Sequence, residues 1–187
     1  FSRAFVDAGW EVITVDIDSK FAPTICADIT KIDWSDFKAT VCHARPVTVV
    51  LASPPCNYFS MASTANGWPI HGIQKALEIV GACFESVVSL KPRWWLIENP
   101  RGRLRVIIGK PLQTILYSDY EDNTPTQKPT DLWGNISLPM PKHIRRPYSG
   151  HNQNAAFHKR WGNPAKRALV PEGVSQAVLE AVSGERT

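Results

Sequence analysis

The chain lacks the long apolar runs and the paired cysteines that mark two broad classes of protein. None of its apolar runs approaches the roughly 20 residues that a membrane-spanning helix needs, and no cleavable signal is visible. Its four cysteines include no Cys-x-x-Cys pair, and Cys42-His43 has no second pair nearby with which to bind zinc. We therefore expect reduced thiols, no metal site and a cytoplasmic protein. With 43% hydrophobic residues among 187, the chain is long enough for one domain with a sizeable core.

Acidic residues are missing between Leu132 and Pro171. Basic residues are frequent there, and Tyr148, Phe157 and Trp161 are interleaved with them. This composition predicts a nucleic-acid contact surface, because basic side chains meet phosphates and aromatic rings stack on bases. A solvated basic surface is the alternative. The basic residues are Lys142, Arg145, Arg146, Lys159, Arg160, Lys166 and Arg167.

Two apolar runs end in residues that can carry chemistry. Residues 47–52 precede Ser53-Pro54-Pro55-Cys56, and residues 93–97 precede Glu98-Asn99-Pro100. Between them, residues 73–90 repeat apolar side chains every three or four positions, which predicts an amphipathic helix. Strand, helix and strand form a right-handed crossover, and ligands bind outside the carboxyl ends of such strands. The pattern predicts a doubly wound, mostly parallel α/β sheet in which Cys56 and Glu98 share one crevice.

A similar unit begins the chain. Residues 2–9 predict a short helix closed by glycine, residues 10–16 predict a strand ending at Asp16, and Asp28 follows the next strand-like segment. A carboxylate at a strand end can accept hydrogen bonds from ribose hydroxyls, and Asp28 is placed to accept one from an adenine amino group. Acids are also common after strands and turns, so both residues have an ordinary turn role as the alternative.

Together these segments resemble the DNA cytosine-C5 methyltransferase family, from Phe1 to about Asn135. Residues 52–60, Ala-Ser-Pro-Pro-Cys-Asn-Tyr-Phe-Ser, are similar to the family's nucleophile loop. Lys91-Pro92 through Glu98-Asn99-Pro100 is similar to its Glu-Asn-Val segment, with proline in place of valine. The resemblance implies the Rossmann-like fold of enzymes that use S-adenosylmethionine. It assigns the cofactor's ribose to Asp16 and its adenine to Asp28, with further contacts from Ile17, Ile29, Pro54 and Leu77.

The family's reaction explains why a cysteine and a carboxylate are paired. A thiolate at Cys56 adds to C6 of cytosine, because C5 is otherwise too poor a nucleophile to take a methyl group. Glu98 stabilises charge at N3 and the exocyclic amine, and Asn99 holds the loop. Flipping the target base out of DNA costs on the order of a few kcal/mol, which phosphate contacts offset. The predicted nucleic-acid residues are Ser60, Arg101, Arg103, Gln127, Lys128, Arg145, Arg146, Lys159 and Arg160. Arg101 and Arg103, just after Glu98, are also candidates for the positive charge that favours the Cys56 thiolate.

Three departures from the family are visible. The chain begins at Phe1, where the family's first strand and glycine-rich turn come earlier, so we expect a fragment without that strand. Gln127 matches the family's Gln-x-Arg-x-Arg segment, but Pro129 and Asp131 stand where arginines are expected. The stretch after Leu132 is shorter than a full target-recognition domain, as in compact phage or prophage members. We therefore divide the chain into a catalytic core (1–131), a short basic insert that contacts nucleic acid (132–166) and a C-terminal helix that packs on the core (167–187), and we expect a monomer.

Other functions stay open at this point. A DNA methyltransferase that acts on an exocyclic amine has Ser-Pro-Pro-Tyr where this chain has Ser-Pro-Pro-Cys, so Cys56 speaks against that class. A catalytically degenerate DNA-binding module fits the altered segment from Gln127 to Asp131. His71 is available as a base for Cys56 in a hydrolase dyad. An RNA substrate is also open, because no residue here distinguishes the two sugars.

Overall fold

A computed structural model describes residues 1–59, 70–121, 129–141 and 169–184, with the side chains of Ile70 and His71 left aside. The described residues contain five α-helices and six strands. In chain order these are α1 (Ser2–Asp7), β1 (Val15–Asp16), β2 (Ile25–Cys26), α2 (Trp34–Thr40), β3 (Val49–Ala52), α3 (Ile70–Leu90), β4 (Trp94–Pro100), α4 (Leu104–Ile107), β5 (Gln113–Leu116), β6 (Pro129–Gly134) and α5 (Glu172–Ser183).

The principal sheet has four strands in the order β3-β4-β6-β5. Strands β3 and β4 are parallel, as predicted, but β6 runs antiparallel to both β4 and β5. The described sheet is therefore mixed, which corrects the mostly parallel one that was expected. Antiparallel neighbours can be joined by a short connection, and the chain turns at Tyr117–Asp119 directly after β5.

Helices pack on both faces of this sheet. Along β4, Leu96 belongs to the core on the side of α1 and α5, whereas Ile97 belongs to the core on the side of α3. Successive side chains of a strand point to opposite faces, so one strand serves both cores. Both residues are fully buried, and burying an aliphatic side chain of this size contributes about 1.5–3 kcal/mol. The fold is a three-layer α/β arrangement.

Helix α3 confirms the predicted crossover between β3 and β4. Its buried positions include Ala76, Val80 and Cys83, spaced by four and three residues, and they face the sheet. The helix ends at Leu90, because Lys91 adopts a left-handed backbone with φ of 50° and proline follows. The crossover thus returns the chain to begin β4 beside β3.

Three strand boundaries differ from the predictions. Only Val15–Asp16 of the predicted strand 10–16 pairs with a neighbour, because β2 is itself just two residues long. Strand β3 begins at Val49 rather than at residue 47. Strand β4 runs on to Pro100, because residues 96–100 pair with β6. Glu98 and Asn99 therefore lie inside a strand and not in the loop after it.

The sheet also continues past residue 131, where the predicted catalytic core ends. Leu132 and Trp133 are buried strand residues, and Ile136 and Leu138 join the core that contains α5. The division into core, insert and C-terminal helix stays a prediction. Among the described residues no helix combines the length and the apolar composition that crossing a membrane requires.

Candidate active site

The loop after β3 is anchored on both sides of Cys56. Pro54 is buried and Phe59 is completely buried, while Cys56 is partly exposed between them. The Phe59 amide donates a hydrogen bond to the Cys56 carbonyl at 3.0 Å, and the Phe59 carbonyl accepts one from the Arg103 amide at 2.8 Å. A buried aromatic ring and two backbone hydrogen bonds therefore hold the thiol at the carboxyl end of β3.

Glu98 and Asn99 lie on opposite faces of β4, next to this loop. Ala52 pairs with Ile97, so the loop leaves β3 beside Glu98. Asn99 is fully buried, and its Nδ2 donates to the Pro54 carbonyl at 2.8 Å. Its Oδ1 is buried and has no hydrogen-bond partner within the described part of the chain. Asn99 thus ties the loop to β4, and its role in catalysis stays a prediction.

Tyr117 binds Glu98, and it was not among the predicted site residues. The Tyr117 hydroxyl donates to Glu98 Oε1 at 2.7 Å, and both side chains are buried. Burial, the negative charge of Glu98 and their hydrogen bond all raise the pKa of Tyr117, and a smaller contribution comes from the charge of Cys56. Because Ala52 pairs with Ile97, the thiol and the carboxyl group follow neighbouring parallel strands at the same end of the sheet. A polar aromatic residue directly after β5 was the available signal.

Asp131 forms an ion pair on the opposite face from Glu98. Its side chain is completely buried, and it accepts hydrogen bonds from Arg105 Nε at 2.8 Å, from Arg105 Nη2, and from Thr114 Oγ1 at 2.8 Å. The hydrogen bond and charge of Asp131 raise the pKa of Arg105. The acid that stands where the family has arginine is therefore paired with an arginine from α4.

Arg101 and Arg103 follow β4 at the same end of the sheet. The Arg101 amide donates to the Pro129 carbonyl at 2.7 Å, which fixes its backbone beside β6, and its side chain is exposed. Arg103 is partly exposed and is bound through its amide to the nucleophile loop. Their predicted effect on the Cys56 thiol stays a prediction.

The predicted cofactor residues cluster at the ends of β1 and β2. Asp16 Oδ1 accepts a hydrogen bond from the Asp18 amide at 2.8 Å, and the neighbouring Ile17 side chain is 69% exposed. Asp28 accepts from the Thr30 amide at 3.0 Å and from the Thr30 hydroxyl at 2.7 Å, and these bonds lower the pKa of Asp28. Lys75 lies 3.4 Å from its other oxygen. Asp28 therefore caps a turn, whatever else it binds.

Some predicted cofactor residues share a core with the nucleophile loop. Ile29, which follows β2, packs on the same core as Tyr58 of the nucleophile loop, and Leu77 of α3 packs there too. Within the described ranges no three His, Cys, Asp or Glu side chains are grouped as metal ligands. Seven predicted nucleic-acid residues lie outside the described residues: Ser60, Gln127, Lys128, Arg145, Arg146, Lys159 and Arg160.

Comparison with known proteins gives one curated relative and one solved structure to report, and no family model matches the chain. A protein of Frog virus 3 (isolate Goorha) named "Probable DNA (cytosine-5)-methyltransferase" is 31% identical over 146 residues, which are 72% of this chain and 64% of the relative. The chain thus spans less than two thirds of that relative's length. A crystal structure of a protein described as a DNA modification methyltransferase, encoded within a prophage of E. coli, superimposes with a TM-score of 0.52 at 17% identity, covering 76% of this chain and 47% of the other. The first similarity confirms the resemblance predicted from the segments around Cys56 and Glu98, and the second shows the fold.

Proposed function

Because the chain is similar to a DNA (cytosine-5)-methyltransferase, we propose that it carries the catalytic core of such an enzyme and methylates C5 of cytosine in DNA. The observation that supports this most is the parallel register of β3 and β4, which pairs Ala52 with Ile97, so that the Cys56 loop leaves β3 beside Glu98. A nucleophile and an acid at the same carboxyl edge of a sheet are what addition to a pyrimidine requires.

The side chains divide the reaction between them. The Cys56 thiolate adds to C6 of the flipped cytosine, and electrons move toward C5. Glu98 meets N3 and the exocyclic amine, where it stabilises the charge that the addition creates. Once C5 carries the methyl group, loss of the C5 proton expels Cys56 and restores the ring. Asn99 keeps the loop in place by its hydrogen bond to Pro54, so the thiol is held at a fixed distance from the base.

S-adenosylmethionine supplies the methyl group when it is bound. The described residues fit its nucleoside half: Asp16 presents a carboxylate at a strand end, and the exposed apolar side chain of Ile17 offers a surface for a flat ring. Asp28, Ile29 and Leu77 complete this side of the site. Asp28 is also bound by Thr30 and Lys75.

The sheet offers one more reason to expect residues before Phe1. Among the described strands, β1 and β2 form a pair separate from the four-stranded sheet, and β3 is an edge of the latter. Side chains of both units nevertheless share one core, including Val15, Ile25 and Val50. We propose that a preceding strand joins the two and brings the glycine-rich turn to the cofactor.

DNA contact is proposed for the basic residues around the site. Arg101 and Arg103 lie beside the nucleophile loop, and the basic stretch after Leu132 supplies the larger charge. Phosphate contacts of this kind depend on salt and compensate for the cost of flipping the base.

Covalent trapping tests the proposal. The full-length protein should form an irreversible adduct with a duplex that contains 5-fluorocytosine when S-adenosylmethionine is present, because fluorine blocks loss of the C5 proton. Cys56→Ser should abolish trapping, and Glu98→Gln should slow it.

Two outcomes count against the proposal. If Cys56→Ser retained methylation, the covalent route would be wrong and methylation of an exocyclic amine would be favoured. If the wild-type protein bound DNA and cofactor but formed no adduct, the chain would be a degenerate binding module.

A further inference from the structure

Tyr117 makes a contact with the proposed acid that the reaction as described above does not use. Its hydroxyl is 2.7 Å from Glu98 Oε1, and the ring is 6% exposed while Glu98 is 5% exposed. The Thr130 side chain also bonds to this hydroxyl. Phenol and carboxyl group are thus held together inside the protein, where a hydrogen bond to a charged group is strong.

The register of β4 and β6 explains why the partner of Glu98 is the neutral Tyr117 and not an arginine. Asn99 pairs with Asp131, so these two side chains share one face. Glu98 pairs with Leu132, and it shares the other face with Leu132 and Thr130. The arginine that binds Asp131 is therefore on the far side of the sheet from Glu98. Tyr117, which follows β5, reaches Glu98 from the near side.

We propose that Tyr117 is a positioning residue for Glu98, fixing the orientation of its carboxyl group toward the target cytosine. This inference rests on the proposed function. Tyr117 transfers no proton in this role. Burial and the neighbouring charge keep its pKa well above the ordinary value, so the hydroxyl remains a donor throughout the pH range in which enzymes are assayed.

A donor on a carboxylate also affects its ionisation. A hydrogen bond to the charged form favours that form, so a carboxyl group that loses the donor ionises at higher pH. The other groups that interact with this pair are the Thr130 hydroxyl and the Cys56 thiol. Removing the phenolic hydroxyl leaves both in place.

Tyr117→Phe, compared with Tyr120→Phe, tests the role. Tyr120 lies three residues further on, and its hydroxyl donates to the Pro139 carbonyl at 3.1 Å and not to Glu98. We expect Tyr117→Phe to slow adduct formation on 5-fluorocytosine DNA by about 2- to 10-fold, the range for losing one hydrogen bond between neutral groups, since the acid form of Glu98 is the reactive one. Affinity for DNA and for S-adenosylmethionine should remain within about twofold of wild type, and Tyr120→Phe should keep the wild-type rate.

Two further readouts separate positioning from a structural role. The pH at which the rate of adduct formation falls on the alkaline side should move upward in Tyr117→Phe, because the acid form of Glu98 persists to higher pH. In a Glu98→Gln background, Tyr117→Phe should cause no further loss, since the group it orients has been replaced.

The possible results are distinct. A wild-type protein that forms no adduct refutes the proposed function, whatever Tyr117 does. A wild-type protein that forms the adduct, with Tyr117→Phe equal to Tyr120→Phe, refutes the positioning role alone. A Tyr117→Phe protein that fails to fold, or that loses DNA and cofactor binding in parallel with activity, also refutes it, because the hydroxyl would then serve the fold.

Discussion

Replacing Arg105 by methionine should destabilise the folded protein by about 3 kcal/mol, because it leaves the Asp131 carboxylate buried without its cation. Asp131 is completely inaccessible to solvent, and two of its three described side-chain hydrogen bonds come from Arg105. Breaking one side of a buried pair costs about 3–5 kcal/mol. The lower end applies here, since the Arg105 side chain is 29% exposed and Thr114 remains as a donor.

Urea unfolding followed by circular dichroism measures this loss. With a slope of about 2 kcal/mol per molar, the midpoint should fall by roughly 1.5 M. Arg101→Met is the matched control, because it makes the same change on an exposed side chain and should shift stability by at most about 0.5 kcal/mol.

The double variant Arg105→Met/Asp131→Leu tests the reasoning behind the number. It removes both charges and fills the site with apolar atoms, so it should be more stable than Arg105→Met alone. An Arg105→Met protein as stable as the Arg101→Met control would refute the argument, as would a double variant whose loss equals the sum of the two single losses.

Three other predictions follow from separate features. Gly134→Ala should lower the free energy of unfolding by about 2 kcal/mol in the same urea assay, because its φ of 152° suits glycine and a Cβ would lie 2.1 Å from the Trp95 carbonyl oxygen. Gly81→Ala should not destabilise the protein, because Gly81 on α3 has open space around it. Iodoacetamide should modify the partly exposed Cys56 before Cys83, whose pKa burial raises to about 11, and equal rates by mass spectrometry would contradict this. Replacing basic residues of the stretch after Leu132 by glutamine should make the plot of log affinity for DNA against log salt less steep, by about 0.9 for each phosphate that the protein no longer neutralises. An unchanged slope would mean that other residues bind the phosphates. The residues to replace are Arg145, Arg146, Lys159 and Arg160.

Local patterns predicted the parts of the fold that depend on nearby residues. The apolar spacing of α3 and the continuous apolar run of β3 were sufficient to predict their type and their order, because helix and strand periodicity is a property of neighbouring side chains. The same patterns extended β1 too far, since a strand exists only where another strand pairs with it, and that partner is short.

The sequence predicted only those site residues that follow the carboxyl ends of neighbouring parallel strands. Cys56 and Glu98 were expected to meet because the carboxyl ends of parallel neighbours lie at one edge. Tyr117 was not, because β5 reaches this edge through antiparallel pairing with β6, which no spacing in the sequence indicates.

By itself, then, the sequence determined the chemistry available to this protein: a thiol and an acid after two apolar runs, and a basic stretch without acids. Tertiary structure decided which side chains they meet. The β4–β6 register sends Asp131 to Arg105 on one face and Glu98 toward Tyr117 on the other, so a difference of one residue along a strand separates the buried ion pair from the proposed catalytic acid. Register is set by the packing of both faces at once, and residues distant in the chain carry that information together.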